Sequence, residues 1–199
     1  MTAFRVLHLC TGNICRSPMG ELLMRAGLEE RLGAGAADFV VESAGTWGHT
    51  GSPMEPFALS TLGGLWIDGG SFAARELVAE HVAAADLVLG ATREHRAAAV
   101  VLQPRAAKRT FTLREFDRLL SVVDPVTLPS EPVARAQALV AEAASQRGLI
   151  RPDTPRDDDI TDPYQGPESG FRTCAALIQA TLQRPLDLLA GLPLTDRPL

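Results

Sequence analysis

With 199 residues, 46% of them apolar, the chain is long enough to bury one compact core and gives no reason to posit a second domain. A formal charge of -5 and a pI near 5.4 exclude the broad basic face that nucleic acid or an anionic membrane surface requires. Three cysteines, Cys10, Cys15 and Cys174, are too few and too unevenly spaced for a secreted disulfide framework, so a cytoplasmic location is expected. The apolar run around Arg5 is too short for an export signal and far too short to span a bilayer, so no membrane insertion is expected.

Residues 4–9 read as a buried strand, and residues 18–32 carry apolar positions at helical spacing behind Ser17 and Pro18, which suit a helix start. A second strand is expected at 39–42, ahead of the turn Ser43-Ala44-Gly45-Thr46, and a third at 86–89, bounded by Gly90. Helical patterns fill 56–65, 72–85 and 93–102, and a short fourth strand follows near 109–112. The alternation predicts an α/β fold: an open sheet of four parallel strands with helices on both faces.

Residues 125–132 are rich in proline, 134–147 are helical in pattern, and 151–159 are polar with several prolines and aspartates. They read as a helical insertion at about 122–156 within a single domain of residues 1–199. The last helix is expected over 168–182, with Pro185 restricting its continuation and a proline-containing tail behind it.

The segment that carries chemistry is Cys10-Thr11-Gly12-Asn13-Ile14-Cys15-Arg16-Ser17-Pro18, between the first strand and the first helix. Ligands gather beyond the carboxyl ends of parallel strands, where the next helix offers free N–H groups and the positive end of its dipole. Thr11 to Cys15 can curl with their N–H groups inward, Gly12 easing the turn, while the Arg16 guanidinium grips two phosphate oxygens in a fork that lysine lacks. A thiol at Cys10 in that positive setting is expected to serve as a thiolate nucleophile, with Ser17 donating to it and Asn13 pinning the loop. Phosphate esters also need an acid for the leaving group, which can then act as a base on water. Asp162, on the loop Thr161-Asp162-Pro163-Tyr164 before the last helix, is the best candidate, although Asp-Pro by itself signals no more than a turn.

Taken together these residues resemble the low-molecular-weight protein tyrosine phosphatases. The resemblance rests on the Cys10-to-Pro18 loop, on Glu21 and Arg25 in the following helix, on Ser43-Ala44-Gly45-Thr46 and on Asp162-Pro163-Tyr164. It implies a flavodoxin-like sheet and catalysis without cofactor or metal. It also implies a phosphocysteine intermediate on Cys10, with Arg16 as the transition-state clamp and Asp162 as general acid and then base. Ser43 would buttress Asn13, and Trp47 and Tyr164 would form walls for the substrate ring, with packing as the alternative for Trp47. The partner implied is a tyrosine-phosphorylated protein, a bacterial tyrosine kinase being one candidate. Cys15 would either pack as a small thiol or form a reversible disulfide with Cys10.

Two positions depart from the family. Phe72 stands where many members carry a histidine that supports the loop, and Gln165 where a second tyrosine often follows the first. Cys174 reads as a small buried residue. The four histidines, His8, His49, His81 and His95, share no metal-ligand spacing, and His49 reads as a solvated loop residue near Trp47. Two rival activities remain. Phosphoarginine phosphatases carry threonine at the position of Ile14, and thiol-dependent arsenate reductases relay oxidation through two further cysteines, whereas no cysteine lies between Cys15 and Cys174.

Overall fold

A computed structural model describes residues 3–192; the proline-containing tail falls outside them from residue 193 onward. The four strands β1 (Phe4–Cys10), β2 (Phe39–Gly45), β3 (Leu87–Gly90) and β4 (Thr110–Thr112) form one sheet in the order β2-β1-β3-β4, with every pairing parallel. The chain leaves β1 toward β2 on one side and later returns to β3 on the other. The direction of winding therefore reverses between β1 and β3, which opens a crevice beyond their carboxyl ends. Cys10 pairs with Gly45 at that edge, and Leu9 with Gly90.

Period-2 alternation assigns the two faces of β1. Phe4 and Val6 belong to a large core with helices α1 (Arg16–Leu32), α2 (Pro56–Gly63), α5 (Leu113–Leu119), α6 (Pro132–Gln146) and α7 (Glu168–Ala190). Leu7 and Leu9 face a thinner core against α3 (Ala79–Ala84) and α4 (Arg93–Leu102), where Ala44, Ala85, Ala99 and Ala106 let the layers approach closely.

The structure departs from the sequence pattern in four places. Strand β2 runs on through Ser43, Ala44 and Gly45, expected in a turn, because they pair with His8, Leu9 and Cys10. Of the helix expected over 72–85 only α3 forms. The preceding residues run extended, Glu76 bridges to Gly45, and the bonds Gly45 N to Arg75 O (2.9 Å) and Leu77 N to Gly45 O (2.7 Å) take up the backbone groups a helix would need. Helix α5 was not foreseen. It starts directly from β4 through a capping box, in which Thr112 Oγ1 accepts from Glu115 N (3.0 Å) and Glu115 Oε2 accepts from Thr112 N (3.1 Å).

Pro185, finally, lies inside α7 rather than ending it. The helix continues because Leu182, Pro185, Leu186, Leu188 and Leu189 are all buried. Arg184 and Asp187 also tie the last turns to Asp117 and Arg31 at 2.5 and 2.8 Å. Burial on this scale, about 1.5–3 kcal/mol per large apolar side chain, is enough to offset the roughly 3 kcal/mol that an interior proline costs.

Candidate active site

Cys10 ends β1 and Arg16 begins α1, so the residues between them form a loop at the carboxyl edge of the sheet. A second segment runs alongside. Thr46 N donates to Cys10 O, Trp47 N to Thr11 O, His49 N to Gly12 O and Glu55 N to Ile14 O, all at 2.9–3.0 Å. The loop carbonyls are thereby turned outward. No N–H of residues 11–15 donates to a backbone carbonyl among the described residues, which leaves a nest of donors for an anion.

The loop's shape is fixed from within by Asn13, fully buried and in the left-handed region with φ 55°. Its amide nitrogen donates to Ser17 Oγ at 2.9 Å and to Ser43 Oγ at 2.8 Å, and its oxygen accepts from Arg75 N at 2.9 Å. A flipped amide would set two donors face to face at Arg75, so only this orientation satisfies the network. Because Ser17 Oγ accepts from Asn13, its proton is free to point at Cys10 Sγ, 2.9 Å away. Ser43 in turn donates to Glu21 Oε2 at 2.6 Å. Glu21 is buried and its carboxyl is pushed above the usual range by desolvation, opposed by the Ser43 hydrogen bond and by Arg25 at 2.7 Å. Glu21, through Ser43, and the Arg75 backbone thus support the loop through Asn13.

Arg16 is 5% exposed. Its Nη2 donates to Asp162 Oδ2 at 2.5 Å and to Thr11 Oγ1 at 3.4 Å, its Nη1 reaches Ile160 O at 3.3 Å, and its Nε is buried without an acceptor. The last is a donor that a phosphate oxygen would satisfy. Asp162 lies half-exposed on its loop, and its Oδ1 accepts from Tyr164 N at 3.2 Å. Trp47 and Tyr164 are 76% and 48% exposed, which removes packing as the account of Trp47. Ile14 is half-buried against the core, and exposed His49 has its ring beside Gly12. Gln165 takes a left-handed φ of 61° in the turn after Tyr164.

His95 was missed by sequence reasoning, which tested it only as a metal ligand. It sits in the first turn of α4, beyond the carboxyl end of β3, and that placement was the available signal. Its Nε2 lies 3.0 Å from Thr11 Oγ1 and its Nδ1 2.7 Å from Thr92 Oγ1. Burial, assisted by Arg16, pushes its pKa down to about 4, so the ring is neutral. Thr11 Oγ1 accepts from Arg16, so its proton goes to Nε2, and the ring proton sits on Nδ1 facing Thr92. Cys15 and Cys174 are free and buried in one core cluster. Desolvation raises the Cys15 thiol far above its usual range and pushes Cys174 up to about 12, which favours the neutral thiol at both.

A family model described as low molecular weight phosphotyrosine protein phosphatase matches residues 5–147. A low molecular weight protein-tyrosine-phosphatase of Streptomyces coelicolor is 30% identical over 183 residues, covering 89% of this chain and 88% of that one. Among solved structures, the low molecular weight protein tyrosine phosphatase from T. tengcongensis is similar with a TM-score of 0.67 and 26% identity, covering 93% of this chain and 99% of that one. The YwlE arginine phosphatase from Geobacillus stearothermophilus is similar with a TM-score of 0.65 and 27% identity, over 92% and 91% of the two chains.

Proposed function

Given that the chain belongs to the low-molecular-weight phosphotyrosine protein phosphatase family, whose members are phosphoric monoester hydrolases, we propose that it removes phosphate from tyrosine with Cys10, Arg16 and Asp162 as its catalytic residues. Cys10 Sγ attacks phosphorus and the bond to the phenolic oxygen breaks, while a protonated Asp162 delivers its proton to that oxygen. Asp162, now a carboxylate, takes a proton from water as the water attacks phosphorus. The P–S bond of the phosphocysteine breaks and inorganic phosphate leaves. Arg16 and the inward N–H groups of Thr11, Gly12, Asn13, Ile14 and Cys15 hold the equatorial oxygens, and Ser17 stabilises the sulfur when it leaves as a thiolate.

The observation that carries this reading is convergence. A thiol, a buried guanidinium and a carboxylate that are 6 and 146 residues apart along the chain meet at the one sheet edge where anions collect. The exposed rings of Trp47 and Tyr164, and an Ile14 without a hydroxyl, favour an aryl phosphate over the phosphoarginine cleaved by the YwlE relative. The protein substrate would be a tyrosine-phosphorylated cytoplasmic protein, a bacterial tyrosine kinase among the candidates. Among the described residues no helix is long and apolar enough to cross a membrane.

The test is turnover of phosphotyrosine peptide, aryl phosphate, phosphoarginine and arsenate by the native chain, Cys10→Ser and Asp162→Asn. Expected are loss of turnover in Cys10→Ser and a fall of roughly 10²- to 10³-fold in Asp162→Asn on the aryl substrates. Faster cleavage of phosphoarginine, or reduction of arsenate, would replace this reading with one of its rivals.

A further inference from the structure

Away from the phosphate loop, a cavity of about 320 Å³ opens between α4, α5 and the chain that follows α6. Five arginines line it, Arg93, Arg96, Arg118, Arg147 and Arg151, in a molecule whose net charge is -5. Only two carboxylates, Glu115 and Asp158, line it with them. Glu115 is shared by Arg96 (2.8 Å) and Arg147 (3.1 Å), and Asp158 takes Arg118 (2.8 Å). Among the described residues the guanidinium groups of Arg93 and Arg151 pair with no carboxylate. The remaining wall is apolar, made by Leu119, Ile150, Pro152 and Pro155. Unbalanced positive charge beside an apolar wall, in a space of small-ligand size, suits an organic anion rather than a bare ion.

The back wall of this cavity is the chain that leads to Asp162. Arg118 forks onto Asp158 at 2.8 and 3.1 Å, and Arg93 N donates to Asp159 Oδ1 at 2.8 Å. The next residue, Ile160, is tied through its N–H to Ala91 O at 2.8 Å, and its carbonyl accepts from the Arg16 guanidinium. An anion seated on Arg93 and Arg151 lies beside the Arg118–Asp158 fork and therefore acts on the segment from which Asp162 projects.

We propose that this cavity, lined in part by residues 147–155 at the end of the expected insertion, is an effector site for an organic phosphate bearing an apolar group. Arg93 and Arg151 would take its charge, and its occupancy would change turnover at Cys10. The site holds no nucleophile, so the effector is bound and not cleaved.

The test uses phenylphosphonate, which cannot be hydrolysed, on the native chain and on the double variant Arg93→Ala/Arg151→Ala. Titration calorimetry should give two sites per native chain and one per variant. Kinetics on an aryl phosphate should show phenylphosphonate altering both kcat and KM of the native chain and only KM of the variant, with kcat of the two proteins equal in its absence. Equal numbers of sites in the native chain and the variant, or purely competitive inhibition of the native chain, would each overturn the proposal. The kinetic arm rests on the phosphatase reading. The stoichiometry does not, so a chain that turned over no phosphate ester would still reveal the second site.

Discussion

Asn13 uses both donors of its side-chain amide, to the hydroxyls of Ser17 and Ser43, and accepts from Arg75 N, at a backbone angle few residues tolerate. These two demands separate by mutation. Asn13→Gly keeps the left-handed backbone and loses the amide, leaving buried partners unsatisfied at about 1–3 kcal/mol each. Asn13→Ala loses the amide and adds about 1 kcal/mol of left-handed strain. Urea unfolding should therefore rank native above Gly above Ala, and an alanine variant as stable as the glycine one would show that φ is not the constraint. At Arg16 the question is geometry rather than charge. Lysine keeps one positive charge but cannot reproduce the fork that spans Asp162, Ile160 O and the unpartnered Nε. Arg16→Lys should cost at least about 10²-fold in kcat on aryl phosphates, and near-native turnover would make simple charge sufficient.

At the scale of elements, the phosphate loop is one of three stacked strips of backbone. Gly45 is the hinge of the stack, bonded to Arg75 O and Leu77 N on one side. On the other side a Cβ there would meet the Thr11 carbonyl and approach Asn13 N to 2.9 Å, both backbone atoms of the loop that holds phosphate. Gly45→Ala should therefore displace the loop, with kcat falling by at least about 10-fold while the molecule stays folded, since misplacing groups by ~1 Å is felt directly in rate. A variant with native kcat would show the strips to be independent.

The same stack marks the limit of what sequence could tell. The phosphate loop was legible because its chemistry sits in nine consecutive residues, and the alternation of strands and helices gave the parallel sheet. The stretch before α3 was misread because Phe72, Ala73, Ala74 and Leu77 satisfy a helical period, while its real role, pairing at Gly45, depends on a strand more than 30 residues earlier. Helix α5 hid because β4 hands over to it without a loop, although Thr112 and Glu115 spell a capping box. His95 carries no motif. It matters only because the topology lays α4 beside β1, where its ring meets Thr11.

Across the whole molecule, two histidines buried neutral on opposite faces of the sheet set the response to acid. His8 lies beneath α1, with Nε2 3.4 Å from Met24 Sδ, and burial lowers its pKa to about 3; His95 is lowered to about 4. Both fall below the ordinary value of 6.5. In the unfolded chain these rings take up protons as pH drops through that value, whereas in the native chain they do not until far lower. The unfolded state thus binds more protons between about pH 6.5 and 4, and stability must fall as pH falls through that window. Each ring contributes up to about 1.4 kcal/mol per pH unit, or roughly 3 kcal/mol for the pair between pH 6.5 and 5, a large part of a typical total. Glu21 and Asp117 oppose this, because burial raises their carboxyl pKa values and the native chain takes up those protons first. Urea midpoints at several pH values should show the loss beginning near 6.5, above the carboxylate range. His95→Gln should remove about half of the slope and leave the His8 half intact. A slope unchanged in that variant would mean that His95 is protonated in the native state, and the chain from Thr92 through His95 to Thr11 would then have to donate toward the phosphate loop instead of accepting from it.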